Sequence, residues 1–165
     1  MHYEGKLYRA LNPVHAGEPL SGHGARLYGG RFNPRGTPAL YTSLAVITAL
    51  REANQVSNLQ PTTLVCYDAD IDGVFDSRDE AALASEGMDA ATLADPAWRD
   101  RMKADGEART QAFARHLIDS GYNGLLVRSF ASGAGADDMN LVLWRWAGLP
   151  SASLVLIDDE NRLSR

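Results

Sequence analysis

Six side chains in this sequence are candidates for chemistry: Tyr28, Arg31, Tyr41, Glu52, Ser129 and Asn140. Arg31 follows two glycines, which permit close backbone approach and positive φ, and its guanidinium offers a planar fork of donors to anionic oxygens. Glu52 carries a different signal. In helical projection it lies between Ala45 and Thr48 and close to Leu44, on a face with apolar neighbours. A carboxylate placed there is costly unless it has a partner or a task. Tyr41 ends a short apolar run just before that helix, Ser129 follows an apolar run, and Asn140 opens another.

Common catalytic motifs fail on inspection. SGHGARLYGG resembles a phosphate loop, yet Leu27 stands where GxGxxG requires glycine, and no GK[ST] occurs. The histidines His2, His15, His23 and His116 show no HExxH or paired spacing, so no metal site is expected. There is no GxSxG elbow. The single cysteine, Cys66, sits in an apolar run and reads as a buried structural thiol; one cysteine cannot form a disulfide framework, and a reducing cytoplasm is expected.

These residues must be positioned by a modest set of elements. Lys6 to Leu11 reads as an opening strand, followed by Asn12 to Pro38, a stretch with six of the fifteen glycines and the expectation of a long functional loop. A short strand is expected near Ala25 to Tyr28 and another at Ala39 to Thr42. Ser43 then reads as the N-cap of a helix running to about Gln55, so apolar that burial on more than one side is expected. Thr62 to Ala69 alternates as a strand. Asp70 to Asp105 is acidic and Ala-rich and reads as loops with short helices. Glu107 to Ser120 reads as a helix with Gly121 at its C-cap, and Gly124 to Val127, Asn140 to Trp146 and Ser153 to Ile157 as strands, the middle one central. About six strands and two to four helices without βαβ regularity give an α+β class in one domain over 1–165.

The chain has 165 residues and net charge −5, which argues against a general nucleic-acid binder. No apolar run approaches the length of a membrane span. The charge is uneven: residues 1–60 hold six basic and three acidic side chains, and residues 61–165 ten and eighteen. A small positive zone that includes Arg26, Arg31, Arg35 and Arg51 suits a compact anionic ligand.

The block GGRFNPRGTPALYTS, followed by TALREA, VRSF and NLVLW, resembles the RES-domain family, over nearly the whole chain from about Tyr8. The resemblance assigns the family's Arg, Glu and Ser to Arg31, Glu52 and Ser129, with Arg128 where proline often precedes that serine. It implies a fold similar to ADP-ribosyltransferases and a toxin of a toxin–antitoxin pair that attacks the nicotinamide–ribose bond of NAD+. NAD+ is then a substrate, with no further cofactor. ADP-ribose would pass to a protein side chain, or else to water or inorganic phosphate. The implied partner is a small antitoxin with a helix-turn-helix domain that covers the active site. In such a site Arg31 would hold phosphate or ribose oxygens, and Tyr41, with Tyr28 as a second aromatic, would stack on nicotinamide. Glu52 would stabilise the oxocarbenium-like ribose or activate the acceptor, and Ser129 and Asn140 would contact substrate or position Glu52. Two other readings stay open: a metal-independent ribonuclease using His15 or His23 with Glu52 and Arg31, and a nucleotide-binding module without turnover.

Overall fold

A computed structural model describes residues 1–55 and 58–163. Among these residues the chain forms a mixed seven-stranded sheet and six α-helices, an α+β fold. The strands are β1 (Tyr3–Leu11), β2 (Leu40–Ser43), β3 (Thr63–Ile71), β4 (Val74–Asp76), β5 (Gly124–Arg128), β6 (Met139–Leu143) and β7 (Ala152–Leu156). Their order is β4-β5-β6-β2-β1-β3-β7, antiparallel throughout except for β4 beside β5. The helices are α1 (His23–Tyr28), α2 (Val46–Ala53), α3 (Glu80–Ser85), α4 (Ala90–Leu93), α5 (Trp98–Asp105) and α6 (Arg109–Asp119). No helix among the described residues is long and apolar enough to cross a membrane.

Side-chain alternation gives the sheet two apolar faces. In β3, Val65, Tyr67, Ala69 and Ile71 are buried, while Leu64, Asp68 and Asp70 point the other way and are exposed. The buried set joins Leu7, Leu40, Leu126, Leu141 and Leu154 in a core to which all seven strands and no helix contribute, so the sheet curls around its own side chains. The second core lies on the opposite face. There Leu125, Val127 and Val142 pack against Leu83 of α3, Leu93 of α4 and Phe113 and Leu117 of α6. Over β1 and β3 that helical cover stops, and α2 packs beside β1 and β2.

The acidic segment folds as short helices joined by loops only after Asp76; before that it completes β3 and forms β4, strands the sequence reading did not expect there. Asp79 accepts hydrogen bonds from the Ala81 and Ala82 amides at the start of α3, and Asp89 accepts one from Thr92 at the start of α4. Helix α6 stops at Asp119 and the chain turns at Gly121, whose φ of 94° is the left-handed conformation that favours glycine.

Several expectations are corrected. Ala25 to Tyr28 is helical rather than extended: HGARLY has no β-branched residue to favour a strand, and Gly29, at φ 72°, closes the turn through its amide to the Ala25 carbonyl. Ser43 is no helix cap. It ends β2 and donates its hydroxyl to Asn140 Oδ1, and α2 starts after Ala45 without a side-chain cap. Helix α2 is buried only along Thr48 and Ala49, with Val46 and Ile47 exposed, because it lies at the sheet margin. Strand β6 is internal as expected but ends at Leu143, since the Trp144 and Arg145 amides turn to the Asn123 carbonyl. Cys66 is only partly buried, on the outer face of β3; that partial burial raises its thiol pKa and leaves it unactivated.

Candidate active site

A cleft of about 790 Å³ opens where the helical layer ends, within the range of small-ligand sites. Tyr28, Arg31, Tyr41, Glu52 and Asn140 all line it. The remaining sequence candidate, Ser129, lies just behind, buried, with its hydroxyl on Glu52.

Glu52 sits on the last turn of α2 and reaches the ends of β5 and β6. Its Oε1 accepts a short hydrogen bond from the Ser129 hydroxyl and one of 2.6 Å from Asn140 Nδ2, and its Oε2 accepts one of 2.5 Å from Gln55. Each donor is itself held. Ser43 Oγ donates to Asn140 Oδ1 at 2.7 Å, which leaves the Asn140 amino group facing Glu52. The Ala131 amide donates to Ser129 Oγ at 3.2 Å. Glu52 is therefore fixed at one oxygen by two strands and contacted at the other by an exposed side chain. Ser129 thus meets Glu52 from behind the cleft wall, its hydroxyl given to the carboxylate.

Helix α2 is anchored in turn by Asp138. Its Oδ1 accepts from Thr48 Oγ1 at 2.6 Å and its Oδ2 pairs with Arg51 at 3.0 Å. The Thr48 hydroxyl, then the Gly135 amide and Arg51, hold the Asp138 carboxyl below its ordinary pKa.

Arg31 is held from behind by the acidic segment. Its Nη1 donates to the Leu93 carbonyl at 3.1 Å and to the Asp95 carbonyl at 2.7 Å. Its guanidinium carbon lies 4.9 Å from the Phe130 ring centre and 6.0 Å from that of Trp98. Burial lowers its pKa from the ordinary arginine value, while the charges of Glu52 and Asp95 act the other way. Nε and Nη2 make no hydrogen bond among the described residues and remain as donors for a ligand.

The loop carrying Arg31 is pinned by its own motif. Tyr41 donates its hydroxyl to Asn33 Oδ1 at 2.6 Å and accepts from the Phe32 amide at 3.0 Å, and burial raises its phenol pKa. Asn33 Nδ2 reaches the Ala25 and Thr37 carbonyls, each at 2.9 Å. Gly30 has no room for a side chain: an added Cβ would stand 2.5 Å from Asn33 Oδ1 and 2.8 Å from Tyr41 Cζ. The close approach that the paired glycines allow is thus partly to the protein itself. Tyr41 contributes to the cleft wall with its hydroxyl already engaged, and Tyr28, largely exposed, stands at the lip.

Sequence reasoning missed three contributors. Gln111 of α6 is fully buried and donates to the Gly30 carbonyl at 3.0 Å and the Asn33 carbonyl at 3.2 Å, and nothing in its sequence context marks it. Trp98, in the segment read as loops with short helices, and Phe130, next to Ser129, flank Arg31 and were not singled out. The histidines take no part: His15 and His23 do not line the cleft, which removes the acid–base pair of the ribonuclease reading. Among the described residues no group of three or more His, Cys, Asp or Glu side chains is arranged to hold a metal ion.

The arrangement offers one fixed carboxylate and a partly buried guanidinium in the same cleft. It suits a ligand that carries an anion and develops positive charge at a defined point. A search of curated proteins found no match to the chain. The family model for the RES domain, in contrast, matches residues 6–164, which takes in every residue of this site. The chain therefore belongs to the RES domain family, known among NAD+-related toxins of toxin–antitoxin systems.

Proposed function

We propose that this protein cleaves the nicotinamide–ribose bond of NAD+ and transfers ADP-ribose, with a protein side chain as the favoured acceptor and water or inorganic phosphate as the alternatives. The observation that carries this reading is the Glu52 carboxylate, held by Ser129 and Asn140 in a cleft it shares with Arg31. In this reading Arg31 binds the diphosphate through Nε and Nη2. The Tyr41 ring and its neighbours pack against nicotinamide and exclude water. As the C–N bond breaks, its electron pair leaves with nicotinamide, which becomes neutral, and the ribose acquires oxocarbenium character. Glu52 faces that charge without needing to reorganise, because its donors have already fixed it. The acceptor oxygen or nitrogen then bonds to the anomeric carbon, and its proton leaves to Glu52 or to water.

Chromatographic detection of nicotinamide tests the reading, with wild type and Glu52→Gln compared in plain buffer, with added phosphate and with cell lysate. Wild type is expected to release nicotinamide, and Glu52→Gln to release it at least ~100-fold more slowly. The condition that accelerates release identifies the acceptor. Equal rates for the two proteins would overturn the role of Glu52, and NAD+ binding without release would favour a nucleotide-binding module. As a toxin acting in the cytoplasm, the chain is expected to copurify with a small helix-turn-helix antitoxin whose tail fills this cleft. High-level expression of active wild type without such a partner would count against that part.

A further inference from the structure

The cleft holds more positive charge than NAD+ needs. Arg9, Arg31, Arg35, Arg99, Lys103 and Arg128 all line it, and Glu52 is the one carboxylate among its lining residues. Of the cations outside the cleft, Lys6, Arg51, Arg78, Arg101, Arg115 and Arg162 each form a salt bridge to a carboxylate, while Arg26, Arg109 and Arg145 form none among the described residues. None of those six lines the cleft, and none of the cleft's cations makes such a bridge among the described residues. In an acidic chain, surplus unpaired charge gathered in one cavity favours a ligand more anionic than NAD+, whose two diphosphate charges are partly offset by the nicotinamide cation.

The position of the surplus indicates which part of the ligand it meets. Arg99 and Lys103 are four residues apart on α5 and share a face. The Arg99 guanidinium is steadied 4.8 Å from the Trp98 ring centre. Arg35 joins them across Gly29: its Cγ and Met102 Sδ of α5 lie 3.3 Å and 3.0 Å from where a Gly29 Cβ would stand. Arg31 connects this lip to the reaction centre. It contacts Phe130, the neighbour of the Ser129 that holds Glu52, and Trp98, the neighbour of Arg99. With the scissile bond at Glu52 and the diphosphate at Arg31, the lip lies towards the adenosine end. An acceptor must approach the anomeric carbon at the Glu52 end, so a phosphate it carried would meet Arg128 instead.

We infer that Arg99, Lys103 and Arg35 form a subsite for a phosphomonoester on the adenosine ribose, and that the cleft takes 2′-phosphorylated dinucleotide (NADP+) in preference to NAD+. This rests on the reading of Glu52 and Arg31 above. A terminal phosphate dianion brings the charge that the lip lacks, and two guanidinium groups and an ammonium can share its three oxygens.

Calorimetry with two uncleavable fragments, adenosine 2′,5′-bisphosphate and AMP, tests the subsite apart from any turnover. Wild type is expected to bind the bisphosphate at least ~10-fold more tightly than AMP, and R99Q/K103Q to bind the two alike. R128Q removes a cation from the Glu52 end of the same cleft and is expected to keep the preference. Equal or absent binding in wild type, a preference that survives in R99Q/K103Q, or one lost as fully in R128Q would each overturn the subsite. Nicotinamide release from NADP+ and NAD+ then judges the underlying reading separately. Release from both, with the NADP+ to NAD+ ratio of kcat/KM falling at least ~10-fold in R99Q/K103Q, supports subsite and chemistry together. Release from NAD+ alone overturns the inference. Release from neither overturns the glycosidic-bond reading, and the fragment comparison still decides the subsite.

Discussion

Gly30→Ala is a one-methyl change with a large expected cost. The new Cβ would lie 2.5 Å from Asn33 Oδ1 and 2.8 Å from Tyr41 Cζ, and closer still to the Tyr41 hydroxyl. Ordinary carbon contacts need about 3.5 Å, so the Tyr41 ring and the Asn33 amide must both retreat by roughly 1 Å. Their retreat breaks the 2.6 Å bond from Tyr41 to Asn33, and the movement of Tyr41 also breaks the 3.0 Å bond from the Phe32 amide. Each lost bond costs about 1 kcal/mol, and a Phe32 amide left without a partner in the interior costs a further ~1 kcal/mol or more. Crowding adds about 1–3 kcal/mol. The total is about 4–6 kcal/mol, or roughly 15 °C in Tm for a domain of this size. Gly24→Ala is the control. An added Cβ there meets nothing within 4 Å, and the residue lies in helix α1. That variant is expected to gain about 0.5 kcal/mol from helix propensity. Urea unfolding of both variants reads the difference. If Gly30→Ala unfolds within ~1 kcal/mol of wild type, the pinned loop does not have the rigidity assigned to it.

Three further outcomes follow from the same geometry. Ser129→Ala and Asn140→Ala each remove a donor from Glu52 Oε1, so each is expected to lower kcat for nicotinamide release by ~10–100-fold with little change in KM for NAD+; a change in KM alone would place these residues in substrate binding instead. Asp138 has its pKa lowered in the folded protein, first by the Thr48 hydroxyl, so its contribution is present above the unfolded carboxylate value near ~4 and is lost as the pH falls through the native value. Urea unfolding should show Asp138→Asn less stable than wild type at neutral pH, with the gap closing in acid; a gap independent of pH would contradict the staple. His2 has its pKa raised, first by its 2.7 Å hydrogen bond to Asp72, so its contribution is full below ~6.5 and is lost as the pH rises through the native value. The difference in Tm between wild type and His2→Gln should therefore shrink between pH ~6 and ~9, and a difference that grows would show the sign to be wrong.

Much of this protein is legible in its sequence, for local reasons. Strand β3 announces itself because alternation of buried and exposed residues has a period of two, and α6 because its apolar spacing ends at a glycine that must turn. Glu52 stands out because a carboxylate among aliphatic residues is costly wherever it ends up. Helix α1 was not legible, since six residues bounded by glycines carry no period long enough to separate helix from strand. Nor could the acidic segment be given a role, because it acts through the Leu93 and Asp95 carbonyls, and backbone oxygens leave no trace in residue type.

By itself the sequence determined which residues had to be accounted for: an arginine beside paired glycines, a tyrosine before a helix, an isolated glutamate, and the RES-like block that joins them. Tertiary structure decided what each one touches. The donors that fix Glu52 come from 77 and 88 residues further along the chain, and Gln111, which holds the Arg31 loop, is about 80 residues from the carbonyls it meets. It also gathered six cations without a carboxylate partner among the described residues on one cleft, while Arg51, Arg101 and Arg115 outside it are paired. Periodicity reports only which face of an element is buried; which groups then meet across that face depends on how the sheet curls and where the helical layer stops.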